Sequence, residues 1–254
     1  MALKHTSVDP WLGVLTDDRL TSELRVYQRA KGHRFSSDDV ATAYVAHRAA
    51  PEARRILDLG CGLGSVLLHL AWKLPDATLA GIEAQPMSFE LLRRNVERSG
   101  YAARIRTSLG DLREPHVSAE LGSDFDLITG TPPYFPPTTA LDAEDEQRAY
   151  ARVEYRGGLE AYLTTAARLL GARGVIVLCG DAKAAPRVQT AADSLALHIR
   201  AACQIVAREG RPPLFCIWSF EREAGDCQHT RLVLRDARGA RTPDAASLRH
   251  FSGF

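Results

Sequence analysis

The seven residues Asp58-Leu59-Gly60-Cys61-Gly62-Leu63-Gly64 restrict the possible folds of this chain more than any other stretch. They follow the apolar run Arg55-Ile56-Leu57 and lead directly into residues 65–74, whose helical spacing is closed by Pro75. A strand, a tight glycine turn and a helix are therefore expected in immediate succession. Glycines at alternate positions let the backbone turn sharply and approach a ligand closely, and the helix behind them presents unpaired N–H groups.

The same alternation continues along the chain. Thr78 to Glu83 reads as a second strand, and Pro86 to Gly100 as a helix with Pro near its start and Gly as its C-terminal cap. Strands are expected at 104–111 and 125–130, a helix from Gly158 stopped at the glycines of Gly171-Ala172-Arg173-Gly174, a buried strand at 175–179 and a helix at 185–196. Strands and helices alternating at this length imply an α/β fold with a doubly wound, mostly parallel sheet and right-handed crossovers. Ligands then collect at the carboxyl ends of the strands. Beyond residue 197 two strands joined by the turn Gly210-Arg211-Pro212-Pro213 predict an antiparallel edge. The first 50 residues differ in character: 19–28 reads as a strand or short hairpin, and 36–50 as a helix capped by Ser36 or Ser37. The expected organisation is a small N-terminal cap over residues 1–50 and a main α/β domain over 51–254.

Composition sets limits on the function. Of 254 residues, 45% are hydrophobic and 25% charged, enough for one well-buried core, and the formal net charge of +1 leaves nucleic-acid binding to a local patch. The five scattered cysteines contain no C-x-x-C pair and read as reduced thiols; Cys227 and His229 lack a second ligand pair, so no metal is expected. The opening residues carry no apolar core of signal-peptide length and no run is long enough to span a bilayer, so a cytoplasmic protein is expected.

The glycine spacing is G-x-G-x-G behind Asp58, not the G-x-G-x-x-G of dinucleotide enzymes. With Glu83 closing the second strand, where a carboxylate can accept hydrogen bonds from ribose hydroxyls, the loop resembles the first motif of the class I S-adenosylmethionine-dependent methyltransferases, a Rossmann-like fold. The resemblance implies S-adenosylmethionine as cofactor, held by Asp58, Gly60, Cys61, Gly62, Gly64 and Glu83. Asp111 and Leu112 would lie after strand three, near the adenine.

Residues 131–135, Thr-Pro-Pro-Tyr-Phe, follow the fourth strand of that fold. Two prolines fix two φ angles and push Thr131 out of the helical region, so the loop is rigid before any substrate arrives. The segment is similar to the Asn/Asp-Pro-Pro-Tyr/Phe motif of enzymes that methylate exocyclic amines and side-chain amides. Such a nitrogen is a poor nucleophile, and acceptors on both N–H bonds help it to pyramidalise and lose a proton. By this resemblance Thr131, Pro132 and Tyr134 are catalytic, Thr131 also borders the cofactor, and Pro133, Tyr134 and Phe135 bind substrate. Threonine replaces the usual amide or carboxylate and offers a shorter hydroxyl acceptor.

Within the class the chain resembles the bacterial-type tRNA adenine-N6 methyltransferases. Gln28, Gly32, His33, Arg34, Phe35 and Asp38 or Asp39 fill that family's opening pattern, which makes Arg34 and Phe35 candidate lid residues over the cofactor. The implied substrate is adenine N6 in tRNA or another structured RNA. Methylation of a protein glutamine or a small amine, and a non-catalytic cofactor- or RNA-binding role, remain as alternatives. From Arg231 onward five arginines stand against two aspartates, a local excess able to meet phosphates.

Overall fold

The computed structural model describes residues 6–137 and 145–254; the first five residues, part of the stretch searched for a signal peptide, lie outside them. Eleven strands and eight helices of at least five residues occur among the described residues. Three strands, β1 (Thr6–Asp9), β2 (Gly13–Arg19) and β3 (Arg25–Arg29), form a small antiparallel sheet, and α1 (Ser37–Ala49) follows. The alternating body then runs β4 (Arg55–Leu59), α2 (Ser65–Lys73), β5 (Thr78–Glu83), α3 (Pro86–Ser99), β6 (Ile105–Leu109), α4 (Pro115–Ala119) and β7 (Phe125–Gly130). After α5 (Glu146–Arg152) and α6 (Leu159–Leu169) come β8 (Leu170–Gly180), α7 (Ala185–Ser194), β9 (His198–Val206), β10 (Phe215–Glu221), β11 (Gln228–Val233) and α8 (Pro243–Phe251).

The large sheet has the order β11-β9-β10-β8-β7-β4-β5-β6. Strands β6, β5, β4, β7 and β8 are parallel, and β10 is antiparallel to both β8 and β9. The expected antiparallel edge is thus broader than one strand, because β11 adds parallel to β9 on its outer side. Both faces of the sheet are covered, which is why its central strands are apolar at successive positions. Ile56 and Leu127 join the core beneath α1, α2 and α3, while their neighbours Leu57 and Ile128 join the core beneath α6 and α7.

The expected end of α6 needs correction. The helix stops at Leu169, and Leu170 already pairs with Phe125 of β7; the next pair is Leu127 with Val175, so residues 171–174 bulge out of register. A Cβ on Gly174 would lie 2.5 Å from the Phe125 carbonyl oxygen. The glycines there allow one backbone to pass close to another and do not terminate the helix.

Two features hold the N-terminal sheet and the C-terminal tail to the body. Asn95 of α3, fully buried, accepts the Tyr27 N–H (2.7 Å) and donates to the carbonyls of Tyr27 (3.1 Å) and Leu63 (2.9 Å), tying β3 to the glycine turn. The tail, whose packing the sequence leaves open, closes back as α8: Phe251 is buried and stacks parallel to His69 at 5.8 Å.

Candidate active site

Three left-handed glycines make the turn between β4 and α2, with φ of +59° at Gly60, +55° at Gly62 and +93° at Gly64. No other residue type adopts such a series without strain. The Cys61 N–H donates to the Ile82 carbonyl (2.9 Å) and the Gly64 N–H to the Cys61 carbonyl (2.8 Å), which fixes the turn against β5. A Cβ on Gly60 would sit 2.1 Å from the Tyr162 hydroxyl, whereas one on Gly62 would meet nothing within 4 Å. Open space over Gly62 is what a ligand lying on the backbone needs.

Glu83, at the end of β5, is 7% exposed. Its two oxygens each accept a backbone hydrogen bond, Oε2 from Gly62 (2.8 Å) and Oε1 from Gln85 (2.6 Å). Burial pushes its carboxyl up, against the pull of these two N–H donors. Two acceptor positions remain for a ligand diol. Glu83, Gly60, Cys61, Gly62, Phe35, Asp111, Leu112 and Thr131 all line one cleft. Asp111 borders it with its carboxylate forked by Arg113 (2.6 and 3.0 Å); burial raises its pKa, but Arg113 outweighs this and holds it low.

Asp58, Gly64 and Arg34 stand elsewhere. Asp58 lies beneath the turn, 1% exposed, with Oδ1 accepting from the Thr129 hydroxyl (2.8 Å) and Oδ2 buried without a partner among the described residues. Burial raises its pKa to about 7 despite the Thr129 bond, and the charge of Glu83 adds to the rise. Gly64 sits against Leu92 behind the turn. The Arg34 guanidinium turns to β2, pairing with Asp18 (2.9 Å) and the Thr16 hydroxyl (2.8 Å); it borders a neighbouring cavity, not this cleft. Spacing does not reveal which way the Asp58 and Arg34 side chains leave their backbone, nor that Leu92 packs behind Gly64.

That neighbouring cavity, about 520 Å³, is lined by Thr131, Pro132, Pro133, Tyr134 and Phe135, and falls within the roughly 300–1,000 Å³ of small-molecule sites. The two spaces share His33, Asp39, Thr131, Pro133 and Ala151 as walls. Thr131 therefore stands on the wall common to the glycine cleft and the second cavity. Tyr134 is fixed at its far end, its hydroxyl 2.8 Å from the Cys179 sulfur on β8 and 3.2 Å from Asp38 Oδ2. Its backbone N–H and that of Phe135 both reach the Arg152 carbonyl (3.2 and 2.9 Å), while the Phe135 ring is 46% exposed.

Several residues of the site gave no sequence signal. Tyr162 on α6, Gln85, Ser65 and Arg156 line the glycine cleft, and Cys179 anchors Tyr134; only folding brings them there. Among the described residues no group of three or more His, Cys, Asp or Glu side chains is arranged to hold a metal ion, and no helix is long and apolar enough to cross a membrane.

Comparison with known proteins agrees with this geometry. Residues 31–145 match the family model of the methyltransferase small domain. The chain is 31% identical over 204 residues, 77% of its length and 78% of the relative's, to the tRNA1(Val) (adenine(37)-N6)-methyltransferase of Yersinia pestis, and equally to that of Yersinia pseudotuberculosis. Among solved structures it is similar to a predicted O-methyltransferase from Agrobacterium tumefaciens, with a TM-score of 0.62 and 19% identity, covering 86% of this chain and 97% of that one. The ribosomal protein L11 methylase of Lactobacillus delbrueckii superimposes with a TM-score of 0.56 at 15% identity, over 82% and 99% of the two chains. At these identities the structural likeness concerns the fold alone.

Proposed function

Because this chain belongs to the family of S-adenosylmethionine-dependent tRNA adenine-N6 methyltransferases, we propose that it methylates N6 of an adenine in tRNA, with the Thr131–Phe135 segment as its reaction centre. It is an S-adenosylmethionine-dependent methyltransferase. The observation that carries the proposal is the wall that two cavities share: Thr131 and Pro133 border both a glycine-lined cleft suited to the cofactor and a space lined by the proline-aromatic segment.

The donor set of the cleft fits the cofactor. Gly60, Cys61 and Gly62 would lie along it, Glu83 would take the ribose hydroxyls, and Asp111 and Leu112 would flank the adenine. Asp58, buried beneath the turn, becomes a negative charge complementary to the cationic end of such a molecule as it ionises near neutral pH. When bound, the cofactor supplies an electrophilic methyl group on a positively charged sulfur. The described part of the N-terminal segment acts as its cap, with His33, Phe35 and Asp39 reaching the cleft.

The chain's own residues then do the positioning. The Thr131 hydroxyl and the Pro132 carbonyl accept the two amine hydrogens, which favours the pyramidal nitrogen of the transition state over the flat one of the ground state. Tyr134, locked at its hydroxyl by Cys179 and Asp38, gives the base a flat surface that cannot swing away. The two prolines hold these groups in place without any rearrangement at the moment of reaction.

An RNA acceptor is favoured by the rim of the second cavity. Lys31, Arg148 and Arg152 border it, and none forms an ion pair among the described residues. Three cations beside an exposed Phe135 suit a phosphate chain and an unstacked base. Incubation with total tRNA, S-adenosylmethionine and the purified protein should yield N6-methyladenosine by nucleoside mass spectrometry. Methyl incorporation into protein alone would overturn the RNA reading and leave the methyltransferase intact.

A further inference from the structure

We propose that Asp39 shares with the Thr131 hydroxyl one hydrogen of the target amine and takes that proton after methyl transfer; this rests on the N-methyltransferase reading above. Threonine at position 131 leaves the nitrogen short of a strong acceptor, since a hydroxyl is a weaker partner than an amide or carboxylate oxygen. Asp39 stands where such an acceptor is needed. It borders both the glycine cleft and the second cavity, as do Thr131 and Pro133, so the wall that the two spaces share carries a carboxylate.

The local structure holds that carboxylate in place without neutralising it. Asp39 lies in the first turn of α1, and its Oδ2 accepts the Ser36 N–H at 2.8 Å, which caps the helix and orients the side chain. It forms no ion pair among the described residues and is 8% exposed. The titratable groups facing it bring no positive charge: Asp38 beside it on α1, Asp58 on β4, Tyr134 on the proline segment and Cys179 on β8. Burial lowers the pKa of His33, on the shared wall, and the charges of Arg152 and Arg148 lower it further against the pull of Asp38. Burial first, and then the charges of Asp38 and Asp58, raise the Asp39 pKa to about 7, where a carboxylate can accept a proton near neutral pH.

The step balances as follows. The nitrogen lone pair forms the new bond to the methyl carbon while the electron pair of the carbon–sulfur bond returns to sulfur. The nitrogen, now positively charged, loses one N–H proton to an Asp39 oxygen, giving a methylated neutral amine and a carboxylic acid. The proton leaves to solvent through the second cavity, and the carboxylate is regenerated.

Asp39→Asn tests this, because the amide oxygen still caps Ser36 but cannot take up a proton. With the acceptor found by mass spectrometry, kcat and KM are measured from pH 5 to 9, together with calorimetric binding of S-adenosylhomocysteine and thermal melting. The expected result is a kcat lowered on the order of a hundredfold, loss of the ionisation near neutrality from the kcat profile, and unchanged product affinity. Asp39→Asn with wild-type kcat and profile would overturn the proposal, leaving Asp39 a helix cap. Should that variant fail to melt cooperatively, carboxyl carbon NMR of the wild type decides: titration of Asp39 near neutral pH supports the role, and a carboxylate ionised throughout the range refutes it. Absence of any methylated acceptor with wild-type protein would instead sink the functional reading on which the role depends.

Discussion

The Gly62 N–H donates to Glu83 Oε2 at 2.8 Å, so the tip of the glycine turn and the end of the second parallel strand form one rigid unit. Glu83→Gln should therefore do two things at once, weakening the ribose contacts and loosening the turn. Hydrogen bonds to a charged group contribute about 1.5–3 kcal/mol, so S-adenosylmethionine should bind roughly 10- to 100-fold more weakly. Isothermal calorimetry reads this directly; affinity equal to wild type would remove Glu83 from the site.

Gly60 is expected to be intolerant of any side chain. A left-handed backbone costs a non-glycine residue roughly 1–2 kcal/mol, and the added Cβ collides with Tyr162, so Gly60→Ala should lose about 2–4 kcal/mol of stability. A melting temperature lower by roughly 5–15 °C is expected for a chain of this size. Adding Tyr162→Phe removes the nearest atom and should recover part of the loss. Recovery of nothing would mean that backbone strain alone is responsible.

Thr131→Val keeps the shape of the side chain and deletes its hydroxyl. If that hydroxyl holds the target amine in the transition state, kcat should fall on the order of a hundredfold while S-adenosylhomocysteine binds as before. A change in cofactor affinity with kcat intact would move Thr131 from the acceptor to the donor side of the junction.

Stability of the ligand-free protein should fall as pH rises from about 4 to 7. Asp39 and Asp58 have pKa values raised to about 7 from an ordinary 3.8, so in this window the folded state binds more protons than the unfolded one, and deprotonation on the way up is unfavourable. Three imidazoles work in the opposite sense: burial lowers the pKa of His69 to about 4 and also lowers those of His33 and His47, so their contributions grow as pH rises toward the ordinary 6.5. Asp39 and Asp58, each raised across nearly the whole window, outweigh them, and burial raises the pKa of Glu83 as well. Asp58→Asn, which keeps an acceptor for Thr129, should flatten the decline in urea midpoints measured across this range. A midpoint that climbs steadily from pH 4 to 7 in the wild type would refute the assignment.

Much of this site could be read from the sequence because its signals are local. Gly60, Gly62 and Gly64 are required by backbone angles that only glycine adopts readily, and Pro132 and Pro133 declare their rigidity wherever they occur. What escaped depends on partners far along the chain. The bulge at 171–174 exists because Phe125 pairs with Leu170, and a Gly-rich segment after a helix reads the same whether it ends the helix or passes a neighbouring strand. Arg34 was placed by its position before α1, yet its destination is set by Asp18 across the small sheet. Cys179, one of five scattered thiols, gained a role only when β8 brought it to Tyr134.

The Arg152 carbonyl at the end of α5 receives the N–H groups of both Tyr134 and Phe135, and the same short helix carries Arg148 and Arg152 toward the open cavity. Whatever grips those two guanidinium groups also leans on the peptides beneath the reacting base. Holding the acceptor and aligning it are thus one mechanical event, joined at the Arg152 carbonyl and at the Phe135 carbonyl, which accepts the Glu154 N–H (2.9 Å).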